Sequence, residues 1–535
     1  MKRSIVLVFV LIAFGGILFF TNLGGWDLWH PDEPRYAQIA KEMLQGGRWI
    51  IPHLNSEVYT DKPPLFFWLI AAASKGVGEL NETAARLPSA VFALFTIMLT
   101  FFLGKRLFSE EGGFFAALIL ATNGEFFWLA RRASIDVTLT FFTTSAIFLF
   151  FIGFREQKSK QLFYVMAYCA MAVGVLTKLQ VGVIVPFLVV TGYFILQREA
   201  RFFKDLSHLP GLVLFTIILG GWLYWAYLSG GVDYLWGLLY HKTASTFFDT
   251  TSHPRPLYYY FVNFPADFLP WSVFLPSALI YGFSSKSNRR GFIFVFFWFL
   301  IIFIFFSLAK AKRELYLLPL YPAASLMVGY LWDEFSTDAE RKMGKLIAIP
   351  LSVLTGVLVL IAVSLPIAAW WKGSVYLEHP WEISLISGLI LGAGGALCYV
   401  SYYYHRRDLP FYVMVAVTFA FGLYATMRIF PEIDKYKSAR PFSQSIISVM
   451  RPPDQLAIYR FEGAEFNYYT GINPIKKVYD KEELKTFLAS HQRVFCILKE
   501  KHYAKLEKDI APQSSIIIRG KVGHRPLVLI SNREI

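Results

Sequence analysis

Long apolar runs alternate with short polar connections along most of the chain. Runs of about 17–25 apolar residues, enough to cross roughly 30 Å of hydrocarbon as a helix, recur from the N-terminus to about residue 430. This pattern predicts about thirteen membrane-spanning helices. They are expected at residues 4–23, 84–104, 112–130, 137–154, 162–177, 180–197, 210–229, 265–283, 291–309, 314–332, 346–370, 382–404 and 409–429. The chain is therefore predicted to be a polytopic α-helical membrane protein.

The first run, "MKRSIVLVFVLIAFGGILFF", also has the basic start of a signal peptide. No small-x-small cleavage motif follows it, and the run is longer than the apolar region of most signal peptides. We therefore interpret it as the first span, with a cleaved signal peptide as the alternative.

The pattern changes after residue 430. Short alternating runs such as "QLAIYRF" and "SSIIIRG" are typical of strands, and "DKEELKTFLASH" is typical of a helix. Residues 431–535 are therefore predicted to form a small α/β domain that follows a membrane domain of residues 1–430.

The composition excludes a soluble protein of this length, because 55% of the residues are hydrophobic and only 17% are charged. A net charge of +14 can indicate a nucleic-acid partner, so the positions of the positive residues matter. Lys and Arg concentrate in alternate connections, at residues 105–106, 155–160, 198–204, 286–290, 341–345 and 406–407. Cytoplasmic connections are rich in these residues, so the N-terminus is predicted to be cytoplasmic and no nucleic-acid partner is expected.

The same alternation places residues 24–83 and the C-terminal domain on the outer side of the membrane. In this first outer connection, "DEPRYAQIAKEML" has apolar residues at helical spacing, and "YTDKPPLFFWLIAAASKGVG" has a Pro pair suited to a helix start. Two helices at the membrane interface are predicted. Asp32 and Glu33 begin the first of them. The simplest interpretation is a solvated helix N-terminus, and the alternative is a functional carboxylate pair.

Cations on the same outer side favour the functional interpretation. The outer connections also hold the acids Asp136 and Glu314 and a cluster of basic residues: Arg131, Arg132, Lys178, His241, Lys242, His253, Arg255, Lys310, Lys312 and Arg313. Outer connections normally contain few Lys and Arg residues, so this cluster predicts an anionic partner, most simply a phosphate. Cations would then hold a leaving phosphate while a carboxylate positions the incoming nucleophile.

Seven motifs carry a resemblance to a known family: "DEPRYAQIAKEML", "GRWIIPHLNSEVYTDKPPLFFWL", "AARLPSA", "RRASIDVTL", "GVLTKLQVGVIVP", "HPRPLYYYFVNFPADFLPW" and "AKRELYLLPLYPA". In these motifs the chain resembles the ArnT-like bacterial membrane glycosyltransferases of the protein O-mannosyltransferase superfamily, which have the GT-C fold. The resemblance implies transfer of a sugar from a polyprenyl phosphate to an acceptor outside the cytoplasmic membrane.

The resemblance also implies roles for particular residues. Asp32 matches the catalytic acid of the first outer loop, Glu33 is its neighbour, and Asp136 matches a second supporting acid. The candidate ligands of the donor phosphate are Lys62, Tyr316, Arg255, Arg313 and Lys178. Simpler interpretations remain for some of these side chains, because a lysine can snorkel to the interface and a tyrosine can belong to the aromatic belt.

A divalent metal, zinc or magnesium or manganese, is the cofactor that the resemblance allows, and none is required. Its candidate ligands are Asp61, His253 and His241. Members of the family commonly have Glu at the position of Asp61, and the shorter side chain weakens this prediction. The alternative interpretation of both histidines is that they are ordinary loop residues.

The reaction that the resemblance implies is an inverting transfer of 4-amino-4-deoxy-L-arabinose from undecaprenyl phosphate to a phosphate of lipid A. It would take place at the periplasmic side of the bacterial inner membrane, in contact with membrane lipid, and the enzyme is expected to be a monomer. One alternative is transfer of mannose or another sugar to protein Ser or Thr or to a different glycolipid. A lipid or solute transporter is the other, although no internal repeat supports it.

Overall fold

The computed structural model describes residues 2–156, 158–241, 254–337, 343–404 and 407–533, with only the backbone described at Lys2 and His241. A helix lies at each of the thirteen positions where the sequence predicts a span. In the described ranges ten helical segments are long and apolar enough to cross a membrane: Arg3–Phe20, Glu82–Leu107, Ile135–Arg155, Lys160–Lys178, Leu206–Tyr240, Arg289–Leu308, Glu314–Thr337, Gly344–Tyr376, Pro380–Tyr403 and Leu409–Lys437. The predicted helical membrane fold is confirmed.

The other three predicted spans differ from a simple crossing. Residues 112–130 form two helices, Glu110–Thr122 and Gly124–Ala130, with an angle of 68° between them. The remaining two correspond to shorter apolar helices, Val181–Leu196 and Trp271–Ser284. Thirteen crossings therefore stay a prediction.

Asn123 explains the break between the two bent helices. Its side-chain amide donates to the carbonyl oxygen of Leu120 at 2.8 Å, which satisfies the end of the first helix. Its side-chain oxygen accepts from the backbone N–H of Phe126 at 2.9 Å, which caps the start of the second helix. One buried asparagine thus serves both helix ends at the turn.

Close packing of small residues brings the central helices together. A Cβ atom at Gly104 would lie 2.5 Å from the Cα atom of Gly113, and one at Gly329 would lie 2.7 Å from the backbone nitrogen of Ala116. Because a larger side chain would collide with backbone at both positions, these glycines set the spacing of the helices that support the site.

Both predicted helices of the first outer connection are confirmed, as Asp32–Gly46 and Leu65–Val77, with a hairpin of strands His53–Leu54 and Glu57–Val58 between them. The apolar face of the first helix is covered by protein. Tyr36 packs against Phe66 and Phe67 of the second helix, with ring centroids 5.7 and 5.8 Å apart.

The C-terminal region has the predicted α/β structure. Five strands form one sheet in the order Lys476–Val478, Gln455–Tyr459, Val494–Lys499, Arg525–Ser531 and Ser515–Val522. The first three strands are parallel, and the last two pair antiparallel. The main helices of this region are Phe430–Lys437, Arg440–Val449, Ala464–Thr470, Lys481–Leu488 and Glu500–Ile510.

The C-terminal sheet domain lies on the first outer connection. The side-chain oxygen of Asn55 accepts from the backbone N–H of Ile475 at 2.7 Å, and the hydroxyl of Tyr468 donates to the carbonyl of Leu80 at 3.2 Å. Because these contacts join segments about 400 residues apart in sequence, the domain and the connection form one support for the residues that follow.

Candidate functional site

Four segments meet at a cavity of about 280 Å³. They are the start of the helix Asp32–Gly46, the short helix Gly124–Ala130, the start of the helix Ile135–Arg155, and Arg313 with the start of the short helix Glu314–Leu320. The charged side chains that line the cavity are Asp32, Glu125, Arg132, Asp136, Arg313 and Glu314. The fold therefore brings together two of the predicted catalytic acids, Asp32 and Asp136.

Asp32 is held between two arginines. The Nη2 atom of Arg313 donates to Oδ2 of Asp32 at 2.7 Å, and Nη1 of Arg35 lies 3.8 Å from Oδ1. Burial raises the pKa of the Asp32 carboxyl, but the charge and hydrogen bond of Arg313, helped by Arg35 and Arg132, outweigh it and lower the pKa. Asp32 is therefore an ionised carboxylate at neutral pH.

The second acid forms a separate ion pair. The Nζ atom of Lys178 donates to Oδ1 of Asp136 at 2.5 Å and lies 4.3 Å from the centroid of the Tyr316 ring. A cation over an aromatic ring is attracted to its electron-rich face. Two predicted phosphate ligands, Lys178 and Tyr316, thus contact each other beside Asp136.

Glu33 lies behind the cavity wall and is fully buried. Its carboxylate accepts from Nε of Arg86 at 2.8 Å and from the backbone N–H groups of Trp29 and Ala133 at 3.0 Å. Burial raises the pKa of Glu33, but the charges of Arg86 and Arg132 and these hydrogen bonds lower it to about 2. A solvated helix N-terminus is therefore wrong for this residue.

Arg86 is an important residue that the sequence analysis did not single out. It is fully buried and also donates to the carbonyl oxygens of Leu23, Trp26 and Asp27 at 2.9, 2.9 and 2.7 Å. An arginine inside a predicted apolar span is costly unless an acid pairs with it, and the motif "AARLPSA" contained that signal. The sequence alone did not identify Glu33 as its partner.

Of the five predicted phosphate ligands only Arg313 lines the cavity, and Lys178 and Tyr316 lie just behind it, beside Asp136. Lys62 donates from Nζ to the carbonyl oxygen of Asp61 at 3.1 Å. Arg255 is exposed, and its guanidinium lies 5.4 Å from the centroid of the Tyr259 ring. The structure therefore places Arg313 beside Asp32 and leaves the parts of Lys62 and Arg255 as predictions.

The predicted metal ligands are only partly described. Asp61 is described, whereas His253 and the side chain of His241 lie outside the described residues. Elsewhere in the described ranges, Glu378, His379 and Glu432 place their ligand atoms within 4.8 Å of one another. Because Glu432 already accepts a hydrogen bond from the Glu378 backbone and contacts the His379 ring at 2.9 Å, we assign no metal to this group.

The C-terminal domain reaches the residues around Asp32. Nη2 of Arg35 donates to Glu462 at 2.8 Å, so Arg35 lies between a cavity carboxylate and this domain. The hydroxyl of Tyr469 accepts from the backbone N–H of Leu28 at 2.7 Å. The domain therefore contacts the loop and the helix that carry Asp32.

A second cavity, of about 380 Å³, has almost entirely apolar walls. Its lining comes from several segments, among them the bent pair Glu110–Thr122 and Gly124–Ala130 and the helices Gly344–Ala368 and Leu409–Tyr424. Trp128 lines both this apolar cavity and the charged one. A charged pocket and an apolar pocket thus share one tryptophan in their walls.

Comparison with known proteins agrees with this arrangement. Residues 61–225 match a family model described as dolichyl-phosphate-mannose-protein mannosyltransferase. Crystal structures of ArnT from Cupriavidus metallidurans have the same fold. The apo form gives a TM-score of 0.80 at 21% identity and the form bound to undecaprenyl phosphate 0.79 at 20%, each covering 98% of both chains. The predicted GT-C fold is thereby confirmed.

Comparison with curated protein sequences identifies the family. An undecaprenyl phosphate-alpha-4-amino-4-deoxy-L-arabinose arabinosyl transferase from Pseudomonas aeruginosa is 28% identical over 412 residues, 76% of this chain and 73% of the relative. A Pseudomonas fluorescens protein with the same description is 30% identical over 402 residues, 73% of this chain and 70% of the relative. The chain therefore belongs to the family of undecaprenyl phosphate-alpha-4-amino-4-deoxy-L-arabinose arabinosyl transferases.

Proposed function

We propose that the protein transfers 4-amino-4-deoxy-L-arabinose from undecaprenyl phosphate to a phosphate of lipid A at the periplasmic side of the inner membrane. Its family relatives are named for this donor and this sugar. The observation that carries the proposal to this chain is the position of Asp32, in a charged cavity that shares Trp128 with an apolar one. Such a pair of pockets suits substrates with a phosphate head and a lipid tail.

The state of Asp32 favours a phosphate acceptor over a hydroxyl acceptor. Because Arg313 holds its pKa low, Asp32 is a weak base at neutral pH. A phosphate acceptor is already ionised there and needs no base, whereas a hydroxyl has to lose a proton as the bond forms. Asp32 then stabilises the positive charge that develops at the anomeric carbon and orients Arg313.

Cations beside the carboxylates would hold the donor phosphate. Arg313 and Lys178 each contact one carboxylate, and each keeps further N–H donors for phosphate oxygens. Tyr316, under the Lys178 ammonium, can donate its hydroxyl, and Lys62 and Arg255 complete the proposed set by resemblance. The acceptor oxygen attacks the anomeric carbon opposite this phosphate, so the bond to the donor phosphate breaks with inversion.

Glu33 and Arg86 are proposed to position the site. Arg86 ties three carbonyls of the loop before Asp32 to the buried carboxylate of Glu33, which fixes the start of the helix that carries Asp32. A divalent metal bound by Asp61, His241 and His253 would neutralise charge on the donor phosphate. One carboxylate and two imidazoles suit zinc or manganese.

The proposal is tested with purified protein in detergent, undecaprenyl phosphate-aminoarabinose and lipid A. We expect Asp32→Asn to lose transfer while keeping the elution volume and helical circular dichroism of the wild type. Glu57→Gln is the matched control, since Glu57 is an exposed acid of the same connection and pairs with Lys477. Full transfer by Asp32→Asn would overturn the assignment of the site.

Lys62→Ala tests the donor side of the proposal. We expect this variant to leave more of the donor lipid unreacted in an assay with isolated membranes and to have a higher KM for the donor. Unchanged turnover of the donor would show that Lys62 only snorkels to the interface.

Transfer of mannose to protein is the second candidate, because the matching family model is described as a mannosyltransferase that acts on protein. Supplying a mannosyl donor and an unfolded Ser- and Thr-rich polypeptide distinguishes the two. Sugar on the polypeptide and none on lipid A would favour this candidate.

A further inference from the structure

Carboxylates outnumber cations on the wall of the charged cavity. Four acids line it, Asp32, Glu125, Asp136 and Glu314, against two arginines, Arg132 and Arg313. A cavity that bound phosphate and a neutral sugar alone would have no use for this excess of negative charge.

The available cations are already engaged by other acids. Arg313 pairs with Asp32 at 2.7 Å, and Lys178 pairs with Asp136 at 2.5 Å. Nε of Arg132 lies 3.4 Å from the buried Glu33. None of these contacts neutralises Glu125 or Glu314.

Within the described part of the chain, Glu125 has no hydrogen-bond or ion-pair partner, and the carboxylate of Glu314 accepts only from the hydroxyl of Tyr259. Burial disfavours the charged form of Glu125 most, and the negative charges of Asp267 and Glu314 add to this effect against the positive charge of Arg132. A partly buried carboxylate without a cation is costly, so this wall is suited to a cationic ligand.

The dipole of the short helix Gly124–Ala130 is the simplest other explanation for Glu125, because an acid in the first turn of a helix is stabilised. Glu314 likewise begins a short helix of its own, Glu314–Leu320, but two unrelated helix ends do not explain why both acids face the same cavity. Two acids from separate elements that share one cavity fit a ligand better than they fit a helix end.

Resting on the proposed function, we propose that Glu125, with Glu314 beside it, binds the 4-ammonium group of the sugar and selects an amino sugar over a neutral one. An ammonium offers three N–H donors, enough for both carboxylates. In a pyranose ring C1 and C4 lie at opposite ends. The anomeric end would therefore face the cations Arg313 and Lys178, and the amino end would face the acids.

The test compares two donors with the purified enzyme: undecaprenyl phosphate-4-amino-4-deoxy-L-arabinose and its neutral counterpart that carries a hydroxyl at C4. We expect Glu125→Gln to lower kcat/KM for the amino donor by about 10- to 100-fold, the loss of one charged hydrogen bond. Glu125→Gln should use the neutral donor at least as efficiently as the wild type does. Glu125→Asp, which keeps the charge, should retain most of the preference.

Glu314→Gln is measured in parallel and should reduce the same preference, so the proposal does not depend on the folding of one variant. Glu57→Gln, an exposed acid of the first outer connection, should leave the preference unchanged. An equal loss with both donors, or an unchanged preference in both cavity variants, would overturn the inference. Transfer of aminoarabinose by the wild type would in that case still support the proposed function. A wild type that transfers neither sugar would instead overturn the proposed function.

Discussion

The Glu33–Arg86 pair gives the sharpest stability prediction. Both side chains are almost completely withdrawn from solvent, with exposed fractions of 1% and 0%. Removing one partner of a buried ion pair leaves an uncompensated charge and typically costs about 3–5 kcal/mol. Replacing both partners by apolar residues removes that charge. We therefore expect Arg86→Met and Glu33→Leu each to lower the free energy of unfolding by several kcal/mol, and the double variant to lose less than their sum.

The size of the coupling follows from the contacts. In the double variant the carbonyls of Leu23, Trp26 and Asp27 still lack the hydrogen bonds from the Arg86 guanidinium, and each unsatisfied buried group costs about 1–3 kcal/mol. A coupling free energy of about 2–3 kcal/mol should remain from the charge pair itself. Chemical unfolding in detergent, followed by tryptophan fluorescence, measures it. Trp26 is a local reporter, since its ring centroid lies 4.5 Å from the Arg86 guanidinium.

Arg131 is the matched control for this cycle. It is also fully buried beside Trp26, and it donates to the carbonyl oxygens of Leu18 and Thr21 at the end of the first helix. Arg131→Met leaves carbonyls unsatisfied but exposes no carboxylate, so we expect a smaller loss and no coupling to Glu33→Leu. Strictly additive free energies in the Glu33–Arg86 cycle would refute the reasoning.

Three further predictions concern pH and the neighbours of the cavity. Because the pKa of Glu33 is lowered from 4.5 to about 2, its stabilising contribution is complete above about pH 4.5 and is lost toward pH 2, so acid should abolish the stability difference between wild type and Glu33→Gln. Lys178→Met should lower transfer at least about tenfold, since Asp136 loses its ion-pair partner at the cavity. Glu462→Gln should lower kcat only about 2- to 5-fold through Arg35, because exposed ion pairs contribute at most about 1 kcal/mol.

Each of these has a distinguishing control. Acid unfolding curves that stay separated below pH 2 would contradict the assignment of that pKa to Glu33. For Lys178→Met, unchanged transfer would remove this ion pair from the account. For Glu462→Gln the control is Lys477→Met, which breaks an ion pair at the same domain contact away from Asp32. Equal effects of these two variants would mean that Glu462 only holds the domain in place.

The helices were predictable because their signals are local in the sequence. Apolar runs and helical spacing predicted a helix at every span position and both helices of residues 24–83. The sharp turn at Asn123 was missed although "TNGE" interrupts the apolar run, because the run as a whole is long enough for one span and outweighed the Asn-Gly turn signal. The effect of Asn123 depends on the hydrogen bonds that its side chain makes to the helix before it and to the helix after it.

The site was predictable only in part. Asp32 and Asp136 stood out as acids on the outer side, and the structure brings both to one cavity. The ion-pair partners of the acids were harder to predict, because Arg313 lies 281 residues from Asp32 and Arg86 lies 53 residues from Glu33 in the sequence. No periodicity in one sequence encodes such distant pairs. Glu125 is an acid inside the predicted span 112–130, which is a signal of the same kind as Arg86 that was not used.

The most direct test of the central claim is mass spectrometry of lipid A from cells that contain the wild-type protein, the Asp32→Asn variant, or neither. The account predicts lipid A with an added aminoarabinosyl group only in cells with the wild type. Unmodified lipid A in those cells, or full modification by Asp32→Asn, would contradict it.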